Sequence, residues 1–170
     1  MAMTWPLAQG HVETDGKLAI ARPAADHAGY WPAGSMFTSG NDFSRWAIAF
    51  LNEGKLNAAP VLSTSLIRAM STPRVSIPGS VSGRSYAYGL TIDDSAGSRV
   101  IEHGGSRHGY TSALRMSPEF RIAVITIGNK SGGDVSTLAE KAFGHLMPVR
   151  SPAVKTGMVS SLPLDSYRGD

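Results

Sequence analysis

His103 closes an apolar run, Arg99-Val-Ile-Glu-His103, and Gly104, Gly105, Ser106, Arg107, His108, Gly109 and Tyr110 follow it directly. An imidazole there can carry protons near neutral pH. Two glycines beside it open the main chain to close approach by a ligand. Alternation along an extended strand points Ile101 and His103 one way and Val100 and Glu102 the other. The pattern therefore sets a titratable ring and accessible backbone at the rim of a buried sheet. Two readings of His103 stand: a functional group, or a strand-end histidine bonded to a neighbouring carbonyl. A metal centre built from Glu102, His103 and His108 is a poor third, because the alternation throws Glu102 away from His103. The chain has no cysteine, which excludes disulfides, Cys-ligated metals and thiol nucleophiles together.

The elements that must hold this ring read as three successive antiparallel strands. They cover about 99–103, 110–116 and 121–129, with a Gly-rich corner at Gly104, Gly105 and Gly109 and a turn at Ser117-Pro-Glu-Phe120. The last strand is apolar on both sides, with Ile122, Val124 and Thr126 against Ala123, Ile125 and Ile127. Such a strand lies between two packed layers. A strand over 86–93 turns at Asp93–Gly97 into 98–103 as a hairpin, and the Ser-, Gly- and Pro-rich stretch 73–85 reads as loop. A helix begins near Ser39, capped by Thr38 or Ser39, and Gly54 stops it. Its apolar face is Phe43, Ala47, Phe50 and Leu51, with Trp46 at the border. A shorter helix covers about 63–70, and a third covers 134–147 with Leu138, Ala142 and Leu146 as its face. Residues 1–35 read as irregular loop with at most a short strand at 17–20, and His11 and His27 as surface groups.

Composition sets the outer bounds. With 170 residues, 42% of them hydrophobic, the chain can form one domain with a real core. No apolar run approaches the length of a membrane span, so no membrane partner is expected. The formal charge is +3 and the pI about 9.4, but the basic residues are scattered rather than interleaved with aromatics. No nucleic-acid partner is expected either. The opening Met-Ala-Met-Thr-Trp-Pro lacks a signal-peptide pattern, and the compartment stays open.

His103-Gly-Gly-Ser-Arg-His-Gly-Tyr110, with Ser117-Pro-Glu119 and a strand ending in Gly128-Asn129, resembles the serine β-lactamase and penicillin-binding-protein superfamily. It looks most like the class C-related branch, which also holds esterases and D-amino-acid peptidases. Pro32-Ala-Gly-Ser-Met-Phe-Thr-Ser-Gly-Asn-Asp-Phe-Ser-Arg-Trp46 and Leu7-Ala-Gln-Gly-His11 are similar to further segments of that branch, in the same order. The resemblance implies an α/β (α+β) fold, an antiparallel sheet of three to four strands packed with helices. It implies that 1–150 is the C-terminal half of such a domain, without its nucleophile region. Residues 151–170 would then be a tail or linker toward a missing C-terminal domain.

Enzymes of this superfamily acylate a serine placed one helical turn before a lysine, Ser-x-x-Lys, so that the amine can take the hydroxyl proton. Tyr-x-Asn or Ser-x-Asn supplies a second relay, and Lys/His-Ser/Thr/Gly-Gly lies on an edge strand. The third element is present as His103-Gly104-Gly105. No Ser-x-x-Lys occurs; Ser65 precedes Arg68, which cannot act as a base, and no tyrosine has asparagine two places on. By the resemblance, His103 polarises the substrate or relays protons, and Gly104 and Gly105 admit it. The Ser106 N–H is one oxyanion-hole donor, and Tyr110 lines the pocket. Glycine at the middle of the third element removes one donor toward a substrate carboxylate, so an esterase or peptidase parent fits as well as a β-lactamase. No metal or cofactor is implied. The expected partners are a small-molecule acyl substrate for the parent enzyme and either further copies of the chain or a missing N-terminal half. Two functions follow: part of a serine hydrolase that is inactive alone, or a non-catalytic binding or interaction module derived from that fold.

Overall fold

The computed structural model describes residues 7–22, 28–80, 83–95 and 97–148. The expected tail over 151–170, together with Asp26 and His27, lies outside them. Strands β1 (His11–Thr14) and β2 (Lys17–Ile20) form a hairpin, and a 3-10 turn at Ala28–Tyr30 leads to helix α1 (Gly40–Leu51). The small hairpin β3 (Lys55–Leu56) and β4 (Ala59–Pro60) joins α1 to α2 (Thr64–Ser71). Six strands follow: β5 (Val75–Ser76), β6 (Ser85–Tyr86), β7 (Thr91–Asp93), β8 (Val100–Arg107), β9 (Tyr110–Ser117) and β10 (Ile122–Gly128). Helix α3 (Val135–Leu146) comes last.

The six strands form one antiparallel sheet in the order β10-β9-β8-β7-β6-β5, so each lies beside its neighbour in the chain. The fold is the expected α+β arrangement, but the sheet has six strands rather than three to four. Part of the difference lies in 73–85, which reads as loop from its composition. Val75 and Ser76 nevertheless pair with Tyr86 and Ser85. Turn residues weaken a strand pattern, and pairing to a neighbour overrides them. The single strand expected over 86–93 is divided by a tight turn in which the Ala87 N–H donates to the Leu90 carbonyl at 2.8 Å. Among the described residues before 35 there is also more strand than expected, since β1 pairs with β2.

Opposed residues in an antiparallel pair share a face. Ile101 opposes Met116, which opposes Ala123; His103 opposes Leu114, which opposes Ile125. On this face α1 buries Ala47 and Phe50 against Ile92, Ile101, Leu114 and Met116, with Ala87 and Leu90 in the same cluster. Phe43, Trp46 and Leu51 pack at its border. The helix starts where Ser39 Oγ accepts from the Asp42 N–H at 3.1 Å and donates to the Asp42 carboxylate at 2.7 Å. On the opposite face α3 buries Ala139 and Phe143, and Thr126 Oγ1 donates to the Val135 carbonyl at 2.8 Å. A layer on each side explains why β10 is apolar on both. The face expected for α3 is wrong, however: Leu138 and Leu146 are exposed. Small Ala139 allows close approach to the sheet, and Phe143 takes the Arg115 guanidinium over its ring at 5.7 Å, so the helix turns that stripe inward.

Candidate active-site edge

Strand β8 does not stop at His103. It runs on through Gly104, Gly105 and Ser106 to Arg107, pairing with β9 throughout, and the turn is His108-Gly109. The Gly-rich corner expected after His103 is therefore strand. The glycine at 105 answers to close cross-strand approach rather than to a turn: a β-carbon there would stand 2.5 Å from Ser112 Oγ. Pairing with β7, on the other side of β8, ends at Glu102. From His103 to Arg107 that side of β8 has no strand neighbour among the described residues. His103, Gly104, Gly105 and Ser106 are all exposed along it.

The His103 ring meets Tyr86 across the intervening β7, with Nε2 3.2 Å from the Tyr86 hydroxyl and ring centroids 6.1 Å apart. Burial of Ala87 and Leu90 in the core fixes the turn after β6 and so the backbone that carries Tyr86. Sequence reasoning missed this contact. The two residues lie 17 positions apart on non-adjacent strands, and no local pattern links them. Tyr110, the residue given a pocket-lining role by the resemblance, meets the segment before β1 and Phe37. Its hydroxyl donates to the Ala8 carbonyl at 2.8 Å and its ring meets Phe37 edge-on at 6.3 Å. His108 is exposed in the turn.

Tyr110 belongs to a clasp at the β8–β9 tip. The His11 N–H donates to the Asn129 carbonyl at 2.9 Å, and the Asn129 amide donates to the Gln9 carbonyl at 2.9 Å. The Ser131 N–H donates to the His11 carbonyl at 2.9 Å, while Ser131 Oγ accepts from the Gly109 N–H at 2.6 Å. Lys130 pairs with Glu13 at 3.0 Å. The segment before β1 is thus held against the end of the sheet that carries the His103 edge.

The reverse face of the sheet is charged. Arg84 bridges Asp93 at 2.9 Å and Glu102 at 3.0 Å, and Arg115 reaches the other Glu102 oxygen at 2.9 Å. The hydrogen bond to Asp93 raises the Arg84 guanidinium above its ordinary range. Burial works against ionising Asp93, but hydrogen bonds from Ser95 and Arg84 outweigh it and hold the carboxyl below its ordinary range. Glu102 therefore serves this network, on the face opposite His103. Among the described residues no group of three or more His, Asp or Glu is placed to hold a metal ion.

Two serines with suggestive spacing are engaged elsewhere. Ser65 lies in the first turn of α2 with its hydroxyl 3.1 Å from that of the cap residue Ser63. Ser39-Gly40-Asn41 has the Ser-x-Asn spacing, yet Ser39 is the cap of α1.

Comparison with known proteins agrees with this fold. A family model described as Beta-lactamase matches residues 6–146. The human protein beta-lactamase-like 1 is 22% identical over 135 residues, covering 78% of this chain and 26% of its own. Among solved structures, the octameric penicillin-binding protein homologue from Pyrococcus abyssi superposes with a TM-score of 0.66 at 25% identity, over 82% of this chain and 30% of that one. A penicillin binding protein from Bacillus halodurans gives 0.63 at 17% identity, over 82% and 40%. A D-stereospecific amidohydrolase from Streptomyces gives 0.61 at 21% identity, over 81% and 39%. The chain thus spans about a quarter of its human relative and 30 to 40% of these structures. The matched stretch takes in the whole six-stranded sheet, the helices on both its faces and the His103 edge, and the chain belongs to the Beta-lactamase family.

Proposed function

We propose that these residues form the third-element side of a serine-hydrolase active site and that the 170-residue chain turns over no acyl substrate alone. The observation that carries the reading is the free side of β8, which opens one residue after Glu102, at His103. An extended acyl substrate, an ester or a peptide-like amide, adds to such an edge through main-chain hydrogen bonds. Gly104 and Gly105 leave room for it, and the Ser106 N–H is one of two donors to the oxyanion that forms when the carbonyl is attacked. His103 orients or protonates at the same point. The attacking serine is not supplied here: no Ser-x-x-Lys and no Tyr-x-Asn occurs in the sequence.

A nucleophile-bearing polypeptide or segment would complete the site. The D-stereospecific amidohydrolase among the similar structures supports an amide of a D-amino acid as one substrate class beside simple esters. The test uses the chain as it stands, with nitrocefin, p-nitrophenyl acetate and a D-amino-acid p-nitroanilide. Fluorescent penicillin and fluorophosphonate serve as labels. No turnover and no stoichiometric labelling are expected. Labelling that disappears on mutating one serine would overturn the inactivity.

A further inference from the structure

We infer that Tyr86 is the positioning residue for His103, fixing the neutral imidazole as its Nδ1–H tautomer and occupying its Nε2 lone pair. The inference rests on the reading of His103 as an active-site group and adds what kind of group it is. The two side chains meet at Nε2 and Oη, 3.2 Å apart, at the point where β8 becomes a free edge. A neutral imidazole offers one acceptor nitrogen and one N–H. A phenol is the stronger donor of the pair, since its oxygen lone pairs are partly drawn into the ring, and an imidazole nitrogen is a strong acceptor. The bond therefore runs from Tyr86 Oη–H to His103 Nε2.

The consequence is chemical. With Nε2 accepting, the proton of the neutral ring sits on Nδ1, and His103 presents an N–H donor rather than a free base. That suits stabilisation of negative charge on an acyl oxygen better than abstraction of a serine proton, which in this family a lysine performs. Tyr86 also resists ring flipping. A flip would carry Nε2 away from the hydroxyl, and the buried anchors Ala87 and Leu90 keep the tyrosine from following.

The test is spectroscopic and needs no substrate. The 170-residue chain carries five histidines. Uniform ¹⁵N labelling and long-range ¹H–¹⁵N correlation at about pH 8.5, above the ordinary histidine range, reports the tautomer of each ring. The His103 signals are those lost in His103→Gln. The expected result is an acceptor-type shift at Nε2 and a protonated-type shift at Nδ1 for His103. In Tyr86→Phe the pattern should reverse to the Nε2–H form that free histidine prefers, with the other rings unmoved. A His103 that is Nε2–H in the parent, or unchanged in Tyr86→Phe, overturns the inference. Should Tyr86→Phe fail to fold, the parent spectrum decides alone. Because no acyl substrate enters, a chain that hydrolysed esters unaided would defeat the inactivity reading and leave this one standing.

Discussion

Gly10 and Gly109 pack main chain against main chain: a β-carbon on Gly109 would stand 3.0 Å from the Cα of Gly10. The same β-carbon would come within 2.8 Å of the Ala21 side chain, and Gly109 has φ +87°. Gly109→Ala therefore combines a strained backbone with a clash across the clasp. A loss of about 1–3 kcal/mol is expected, seen as a melting temperature several degrees lower, with faster proteolysis before β1. Gly104→Ala is the control, because the nearest atom to its added carbon is the Ser112 carbonyl oxygen at 3.8 Å. Equal losses in the two variants would count against the clasp.

Glu102 is the shared acceptor of Arg84 and Arg115, and its side chain is 15% exposed against 18% for Arg115. Removing it strands Arg115, whose Nε is buried without a hydrogen-bond partner. Glu102→Ala should cost more than the roughly 1 kcal/mol of a surface pair and up to the roughly 3–5 kcal/mol of a fully buried one, since this pair is partly buried. Chemical denaturation checks this. A loss within the surface range of about 1 kcal/mol would show that water replaces the carboxylate.

Acid should weaken the fold through Asp93 and Asp94. The Arg99 hydrogen bond lowers Asp94, and Asp93 is lowered against its own burial by Ser95 and Arg84. A carboxyl lowered in the folded state stabilises the fold fully above its unfolded value of about 4. That contribution is lost as pH falls through the folded value. Urea midpoints should hold level toward pH 5 and decline below about pH 4. In Asp93→Asn the decline should be shallower, and an unchanged slope would assign the acid sensitivity elsewhere.

The outer side of β10 invites a second copy of the chain. Ile122–Gly128 contains neither proline nor charge, it ends the sheet, and Ile127 is 47% exposed. Such edges pair with further strands unless guarded. The clasp lies beyond the end of this strand, at Asn129 to Ser131, where His11 bridges Lys130. Light scattering at micromolar concentration should give a dimer or larger species, and Ile127→Lys should shift it toward monomer. A parent that ran as a 17.9 kDa monomer would end this expectation.

What could be read from the chain depended on whether a residue's fate was decided locally. Ser39 announces α1 because capping and the Phe43–Phe50 stripe lie within one stretch, and β10 announces itself as a continuous apolar run between turn residues. Gly104 and Gly105 mislead, since glycine marks a turn by propensity, while here both lie in strand and Gly105 faces Ser112 at close range. Leu138 and Leu146 mislead for a related reason: periodicity finds an apolar stripe but not which stripe meets the sheet. The Tyr86–His103 pair is invisible in the sequence because β7 separates its members. His103 itself stood out through its position at the end of an apolar run.

The sheet's strict chain order has a consequence for how the molecule forms. Every pairing from β5 to β10 joins sequence neighbours, so the sheet can zip up hairpin by hairpin with little loop entropy to overcome. The clasp is the opposite, for His11 meets Asn129 across 118 positions. Its closure spans a far longer loop than any hairpin of the sheet and waits for a finished tip to close upon. The meander should therefore be native before the amino end docks, and refolding should show two events: a fast one reported by the core around Trp46, and a slower one reported by Tyr110 as it meets Ala8.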